Sequence, residues 1–460
     1  MISSVKHIRH LYARAGFGIR FEELKQVENL SVKQAVAGLF KASENIIPVD
    51  IIAANISYKD FLLANEGTKK MFLQEQRQQE KALNIDWINK MSTRNTPLRE
   101  KMTLFWHNHF ACRTQNAWHA QQLNNIQRNN AVGNFKTLLL EVSKAPAMLQ
   151  FLNNQQNQKN HPNENFAREL MELFTIGRGN YTEQDVKESA RAFTGWSFNK
   201  QGSFIARPAL HDTGPKTFLG NTGNFNGEDI IDMLLTKKET ARFICTKLYK
   251  YFVNEAPDDL HISAMADVFY SNNYELKPLL EFVFTADWFY ADKNIGNLIK
   301  APVEFIVGLN SQFYITYQNP DVVLQFERAL GQVLFYPPNV AGWPGGRNWI
   351  DSSSLMYRIK IPSTVLNGGV IEFSGKVDPE DEAFIATTRK QKEAVTTKVQ
   401  AQADWDKFLN SIPKGTGKTT IAQTILATSI SSNITEIINK TTDIKTLVIE
   451  LASTPEYQLC

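Results

Sequence analysis

The sequence predicts a mainly α, multi-helical globular bundle with Gly-, Pro- and aromatic-rich loops and one small β-hairpin. Three observations lead there. Apolar residues recur at the 3.6-residue spacing of a one-sided helix through most of the chain. Capping residues, prolines and glycines stand at the ends of those periodic runs. The connections between runs are short, as between packed antiparallel helices. No fixed-period repeat is present, which disfavours a solenoid.

Taken in order, Leu24, Val27, Leu30, Val32, Val36 and Leu39 predict short helices joined near Asn29 and Ser31, a small helical unit within residues 1–60. Residues 60–91, rich in Lys, Gln, Glu and Leu, predict one or two long amphipathic helices. Thr96 and Pro97 read as cap and first turn of a helix that runs into a histidine-rich stretch. Residues 132–152 read as a helix interrupted at Pro146, and the polar run 153–160 as an exposed loop. A helix over 165–176 stops at Gly177, and Thr182 with Asp185 makes a capping-box pattern for a helix over 182–193. The small hairpin is expected between 197 and 227, where aromatic, Gly and Pro content rises. Helical periodicity returns over 229–252, 262–270, 276–286, 302–309 and 355–359. A polar stretch over 377–406 reads as solvated, and a helical pair over 421–437 and 444–451 closes the chain. The resulting division is a helical core over 1–375, an elaboration over 376–410, and C-terminal helices over 411–460 packing back on the core.

At 460 residues, 43% hydrophobic and 21% charged, the chain has enough apolar material for a sizeable core, which excludes wholesale disorder. A net charge of +3 is too small to steer a polyanion, so nucleic acid is not expected as a partner. The three cysteines, Cys112, Cys245 and Cys460, are too few and too scattered for a disulfide framework or a thiolate metal cage. No signal peptide is visible in residues 1–18 and no apolar run is long enough for a transmembrane helix. A cytoplasmic location is therefore expected, with the periplasm or export alongside a partner as the alternative. Residues 413–421 end like a phosphate-binding loop at Gly417, Lys418 and Thr419, but Ile412 stands where the first glycine belongs, so a turn capping the next helix is expected instead.

One polar constellation carries the chemical expectation. His107, His109, Glu169, Glu172 and His211 are candidate ligands for a divalent transition metal such as zinc, iron or manganese, with Glu164, Asp212 and Arg168 as acid/base groups and anion clamp. Asn165, Glu169 and Glu172 share one face of an ideal helix. His107 and His109 point the same way only if the helix ends near Trp106, and on a continuing helix they diverge by about 200°. The plainer account is ion pairing of Arg168 with Glu164 and Glu172, and a His211-Asp212 turn. A second candidate is a groove for a carbohydrate or peptide lined by Trp196, Asn339, Trp343 and Trp349, beside Pro337, Pro338, Gly345 and Gly346.

Several segments together resemble a known family: H-L-Y-A-R-A-G-F-G at 10–18, W-H-N-H-F at 106–110, N-E-N-F-A-R-E-L-M-E-L-F-T-I-G at 163–177 with A-R-A-F-T-G-W at 190–196, and F-Y-P-P-N-V-A-G-W-P-G-G at 335–346. With H-D-T-G-P-K-T-F-L-G at 211–220 and S-T-P-E-Y-Q-L at 453–459, they are similar to the bacterial family called domain of unknown function 1800. The stretch near 377–406 departs from the family as an insertion, and the leader of its exported members is absent. The resemblance implies no particular reaction. Family genes often neighbour those of domain of unknown function 1501, which resembles the alkaline phosphatase and sulfatase superfamily, so it implies a protein partner. Two functions follow as expectations: a binding or maturation partner of that companion, or a metal-dependent hydrolase.

Overall fold

Local start signals hold in the computed structural model, which describes residues 5–53, 65–372, 396–398 and 400–460. Ser31 caps Val32–Ala42 and shares a capping box with Gln34. Thr182 accepts from Asp185 N at 3.1 Å, and Asp185 accepts from Thr182 N at 2.8 Å, opening Glu183–Ala192. The long helix is one piece, Glu66–Thr93, and residues 60–64 of the stretch read as helical lie outside the described residues. Pro97 takes the first turn of Pro97–His109, but the Thr96 side chain makes no capping hydrogen bond. Mainly α is the fold class, and no helix among the described residues is long and apolar enough to cross a membrane.

Pro97–His109 is the pivot of the packing. Every residue in it except Asn108 is buried, so it is a central helix and not a one-sided surface helix. Leu98, Met102, Phe105 and Trp106 belong to one apolar cluster with Phe135, Phe174 and the helices Lys238–Phe252 and Leu276–Thr285. Leu104 faces a second cluster, built from Trp87, Pro302–Gln312, Ser352–Asn367 and apolar residues of the C-terminal helices. Its polar residues are matched inside, as burial demands. Arg128 Nε and Nη2 donate to the two Glu100 oxygens at 2.9 and 3.2 Å, Trp87 Nε1 donates to the same carboxylate at 2.8 Å, and Arg99 Nε donates to Ser43 O at 2.7 Å. Lys101 pairs with Glu304. Among the described residues Glu327 has no such cation. Asn84 donates to its Oε2 at 2.7 Å, its Oε1 has no partner, and burial pushes its carboxyl up to about 8.

Four features differ from the sequence expectation. The run 153–160 is not uniformly exposed: Asn154 and Asn157 are buried, because the Asn157 amide donates to Ala190 O and accepts from Asn163 N, standing in for backbone partners. Two hairpins form between 196 and 223 in place of one, Trp196–Phe198 with Phe204–Ala206 and Lys216–Phe218 with Asn221–Gly223. Among the described residues the strands make four two-stranded antiparallel pairs. Of the stretch read as solvated, Ala401–Gln402 pairs with Thr316–Tyr317 and leads into Trp405–Ser411, whose Phe408 packs on Phe21 and Phe313; residues 377–395 and 399 lie outside the described residues. The closing pair is three helices, Lys418–Ile425, Ser432–Lys440 and Ile444–Ala452. Lys418, the lysine of the incomplete phosphate loop, is hydrogen-bonded to Thr441 O.

Candidate functional site

The C-terminal turn of the central helix holds four parts of the chain at once. Trp106 Nε1 donates to Ala131 O at 3.0 Å. His107 Nε2 accepts from Phe335 N at 3.0 Å, and its ring packs on Trp87, Phe335 and Trp343. Asn108 Oδ1 accepts from Trp343 N at 2.7 Å. His109 Nε2 lies 3.2 Å from Phe174 O and its Nδ1 3.1 Å from Lys247 Nζ. The helix continues to His109, so the two imidazoles take opposite directions. Burial lowers the His107 pKa to about 3; burial and then the Lys247 charge hold His109 well below its ordinary value. Both rings are neutral at physiological pH.

The acceptors for His109 and Lys247 exist because a helix is locally widened. Asn165–Glu169 is α-helical, but Leu170–Phe174 continues as a π-helix, and Gly177 N reaches back to Met171 O at 2.9 Å. Near its end the carbonyls of Phe174 and Leu173 turn to His109 and to Lys247, the latter at 3.0 Å. Gly177 is needed for the exit: its φ is +75° and a Cβ would lie 2.9 Å from the Phe243 ring. Burial lowers the Lys247 pKa to about 8. Sequence reading missed Lys247, which lies on Lys238–Phe252 with no spacing that links it to the histidines.

The remaining predicted residues form separate groups. Arg168 donates to both Glu183 oxygens, at 2.7 and 2.8 Å, and to Glu164 at 3.1 Å. Glu172 is engaged instead by Arg178 and by Tyr181 OH at 3.1 Å, so the expected Arg168 to Glu172 pair does not form. Glu169 stands beside Glu172, and desolvation and then that carboxylate raise its pKa. His211 Nδ1 lies 2.9 Å from Thr194 O, and Asp212 takes a two-pronged contact from Arg191 at 2.7 and 3.2 Å. That arginine holds the Asp212 carboxyl below the usual carboxylate range. The structure thus does not bring His107, His109, Glu169, Glu172 and His211 to one point. Among the described residues no three His, Cys, Asp or Glu side chains gather as a metal-ligand cluster.

These contacts join the segments that carry the family resemblance, 106–110 to both 163–177 and 335–346, and 190–196 to 211–220. The family model described as protein of unknown function (DUF1800) matches residues 10–459. The chain belongs to the DUF1800 family. Neither the curated proteins nor the solved structures gave a match.

In this DUF1800 chain the tryptophans proposed to line a groove are packed inward. Trp196, in the first strand of the first hairpin, packs edge-on with Phe193 and Phe204, whereas Trp343 packs beside His107. Trp343 and Trp349 are buried. Gly342, at φ +83°, lies against Asn108 where any side chain would collide. Asn339 is exposed, but its Oδ1 accepts from Ala341 N at 2.8 Å and shapes the turn. What the loop shows to solvent is Pro338, Pro344, Arg347 and Asn348, and on the helix that follows, Ser352–Asn367, Leu355 and Met356 are 36% and 50% exposed. Periodicity alone gave no signal for these last two, because a helix of apolar composition does not announce which of its apolar residues lack a neighbour.

Proposed function

We propose that this DUF1800 protein is a noncatalytic binding partner, and that the companion it serves is a phosphatase- or sulfatase-like protein of the domain of unknown function 1501 family. The observation that carries the proposal is the 335–349 loop. It is fixed by Asn108 and His107, it exposes Arg347, and the helix that follows it exposes Leu355 and Met356. A rigid loop loses little entropy on binding, and Arg and Met are enriched in protein interfaces. The neutral, backbone-bonded state of both histidines supports the same reading, since their ring nitrogens are occupied in holding the loop and the π-helix.

The test is co-purification of the chain with the product of a neighbouring companion gene, followed by titration. A one-to-one complex is expected, and Leu355→Glu with Met356→Glu is expected to weaken it by about thirtyfold or more, the effect of losing a central apolar anchor. Absence of a complex, or a complex indifferent to both substitutions, sinks the proposal. The adjacent half-buried Glu169 and Glu172 favour a second reading, a metal-dependent hydrolase. Elemental analysis after metal-replete expression separates the two: the partner reading expects no stoichiometric transition metal. One equivalent that disappears in the Glu169→Ala, Glu172→Ala variant would shift the weight to the hydrolase.

A further inference from the structure

Four cations crowd around one carboxylate where the first helix, the central helix and the C-terminal segment meet. Arg14 and Arg358 are 1% and 0% exposed. Arg14 Nη2 donates to Asn294 O at 2.7 Å and also reaches the Asn297 amide oxygen, but its Nε and Nη1 have no partner. Arg358 reaches the Gln458 side chain with Nη1 at 3.4 Å, leaving Nε and Nη2 without one. Lys300 Nζ donates to Tyr457 O at 2.7 Å and sits 4.1 Å from the centre of that ring. Glu304 is committed to Lys101 and to Ala301 N at the start of its own helix. Among the described residues no carboxylate forms an ion pair with Arg14, Lys300 or Arg358, and Glu304 and Cys460 act on them only at longer range. Desolvation accordingly lowers Lys300 to about 8 and Arg358 to about 10.

A narrow cavity of about 40 Å³ opens against this cluster, lined by Arg9, Arg20, Arg94, Lys101, Lys300 and Glu304. Arg94 is held by Glu23, and Arg20 has Glu22 at 3.9 Å, but Arg9 Nε is buried without a partner. Arg9 and Lys300 are half-buried, which sets them at the margin of the cluster where Arg14 and Arg358 are enclosed. The space exceeds what one water needs and falls far short of a metabolite pocket. Buried cations without counter-charge are costly, and a compact anion with several acceptor oxygens answers guanidinium and ammonium donors together.

We propose that this cavity binds one small inorganic oxyanion, phosphate or sulfate, through Lys300 and Arg9, with Arg14 and Arg358 supplying the surrounding positive field. The site is independent of the partner surface on 335–356. It requires no carboxylate to move and leaves the Lys101 to Glu304 pair intact.

The experiment is isothermal titration calorimetry of the full chain, dialysed free of oxyanions, with phosphate and with sulfate against chloride at matched ionic strength. A saturable one-to-one heat is expected with an oxyanion and none with chloride. Lys300→Met and Arg9→Gln are each expected to weaken it about tenfold or more. In oxyanion-free buffer Lys300→Met should unfold no earlier than the natural chain, because losing the hydrogen bond to Tyr457 O is offset by removing a buried charge that has no carboxylate partner. No saturable heat on the natural chain, or unchanged affinity in the variants, overturns the proposal. So does phenyl phosphate binding as tightly as phosphate, since its ring exceeds the space. Should Lys300→Met not fold, Arg9→Gln at the half-buried margin decides.

Discussion

Replacing Arg128 with methionine is expected to lower the unfolding free energy by about 3–5 kcal/mol, the usual result of stranding one member of a buried ion pair. Both side chains of the Arg128 to Glu100 pair are almost wholly inside, at 0% and 3% exposure, and the carboxylate also receives Trp87 Nε1. Without the guanidinium, Glu100 keeps the Trp87 donor and a charge that is almost wholly withdrawn from water. The check is urea denaturation of the natural chain, Arg128→Met, Glu100→Leu and the double variant. The double variant should recover much of the loss, since two apolar side chains leave no orphaned charge. A double variant that loses the sum of the single effects would show that the two residues are not coupled.

Glu327→Gln is expected to act in the opposite direction, stabilising the protein relative to the natural chain by an amount that grows as pH rises. The Glu327 pKa goes from 4.5 to about 8 on folding, so between those values the folded chain holds a proton that the unfolded chain has released. Stability then falls with increasing pH through that window, by at most about 1.4 kcal/mol per unit from this group, and levels off above the folded value. A glutamine has no proton to lose and still accepts from Asn84. Denaturation at pH 5.5 and 7.5 should therefore show the variant gaining about 2–3 kcal/mol on the natural chain between the two. A constant difference would mean that Glu327 is ionised in the fold.

The features legible in the sequence are those fixed within a few residues. Ser31 with Gln34 and Thr182 with Asp185 are hydrogen-bonded pairs three residues apart, and Gly177 marks a left-handed exit, so the helix boundaries they set follow from local chemistry. The π-helix over Leu170–Phe174 is different, because its widened turn depends on His109 and Lys247, donors from two other helices. The direction of His107 and His109 was open in the sequence for want of a Gly or Pro stop, and the continuous helix decides it by sending them apart. Polarity suggested an exposed 153–160 loop, but an asparagine amide can substitute for backbone, and Asn157 does so inside the fold. The tryptophans of the 335–349 loop suggested a groove. Their buried positions reflect that large aromatic rings repay burial more than exposure, while the smaller residues beside them face solvent.

The contact between His107 and Phe335 also sets an order of events during synthesis. Those residues are 228 positions apart, and Pro97–His109, which carries Leu98, Met102, Leu104, Phe105 and Trp106 and is buried almost throughout in the finished fold, lacks part of its cover until the later segment arrives. At translation speeds of about 5–20 residues per second, the helix emerges roughly ten to fifty seconds before the backbone that completes its enclosure. Throughout that interval a rod that ends up as the middle of the protein is, in effect, an adhesive surface beside the ribosome. The same geometry that makes the finished hub rigid therefore makes the nascent chain a natural client for a chaperone, and makes any product cut short before residue 335 a chain without the cover for its own centre.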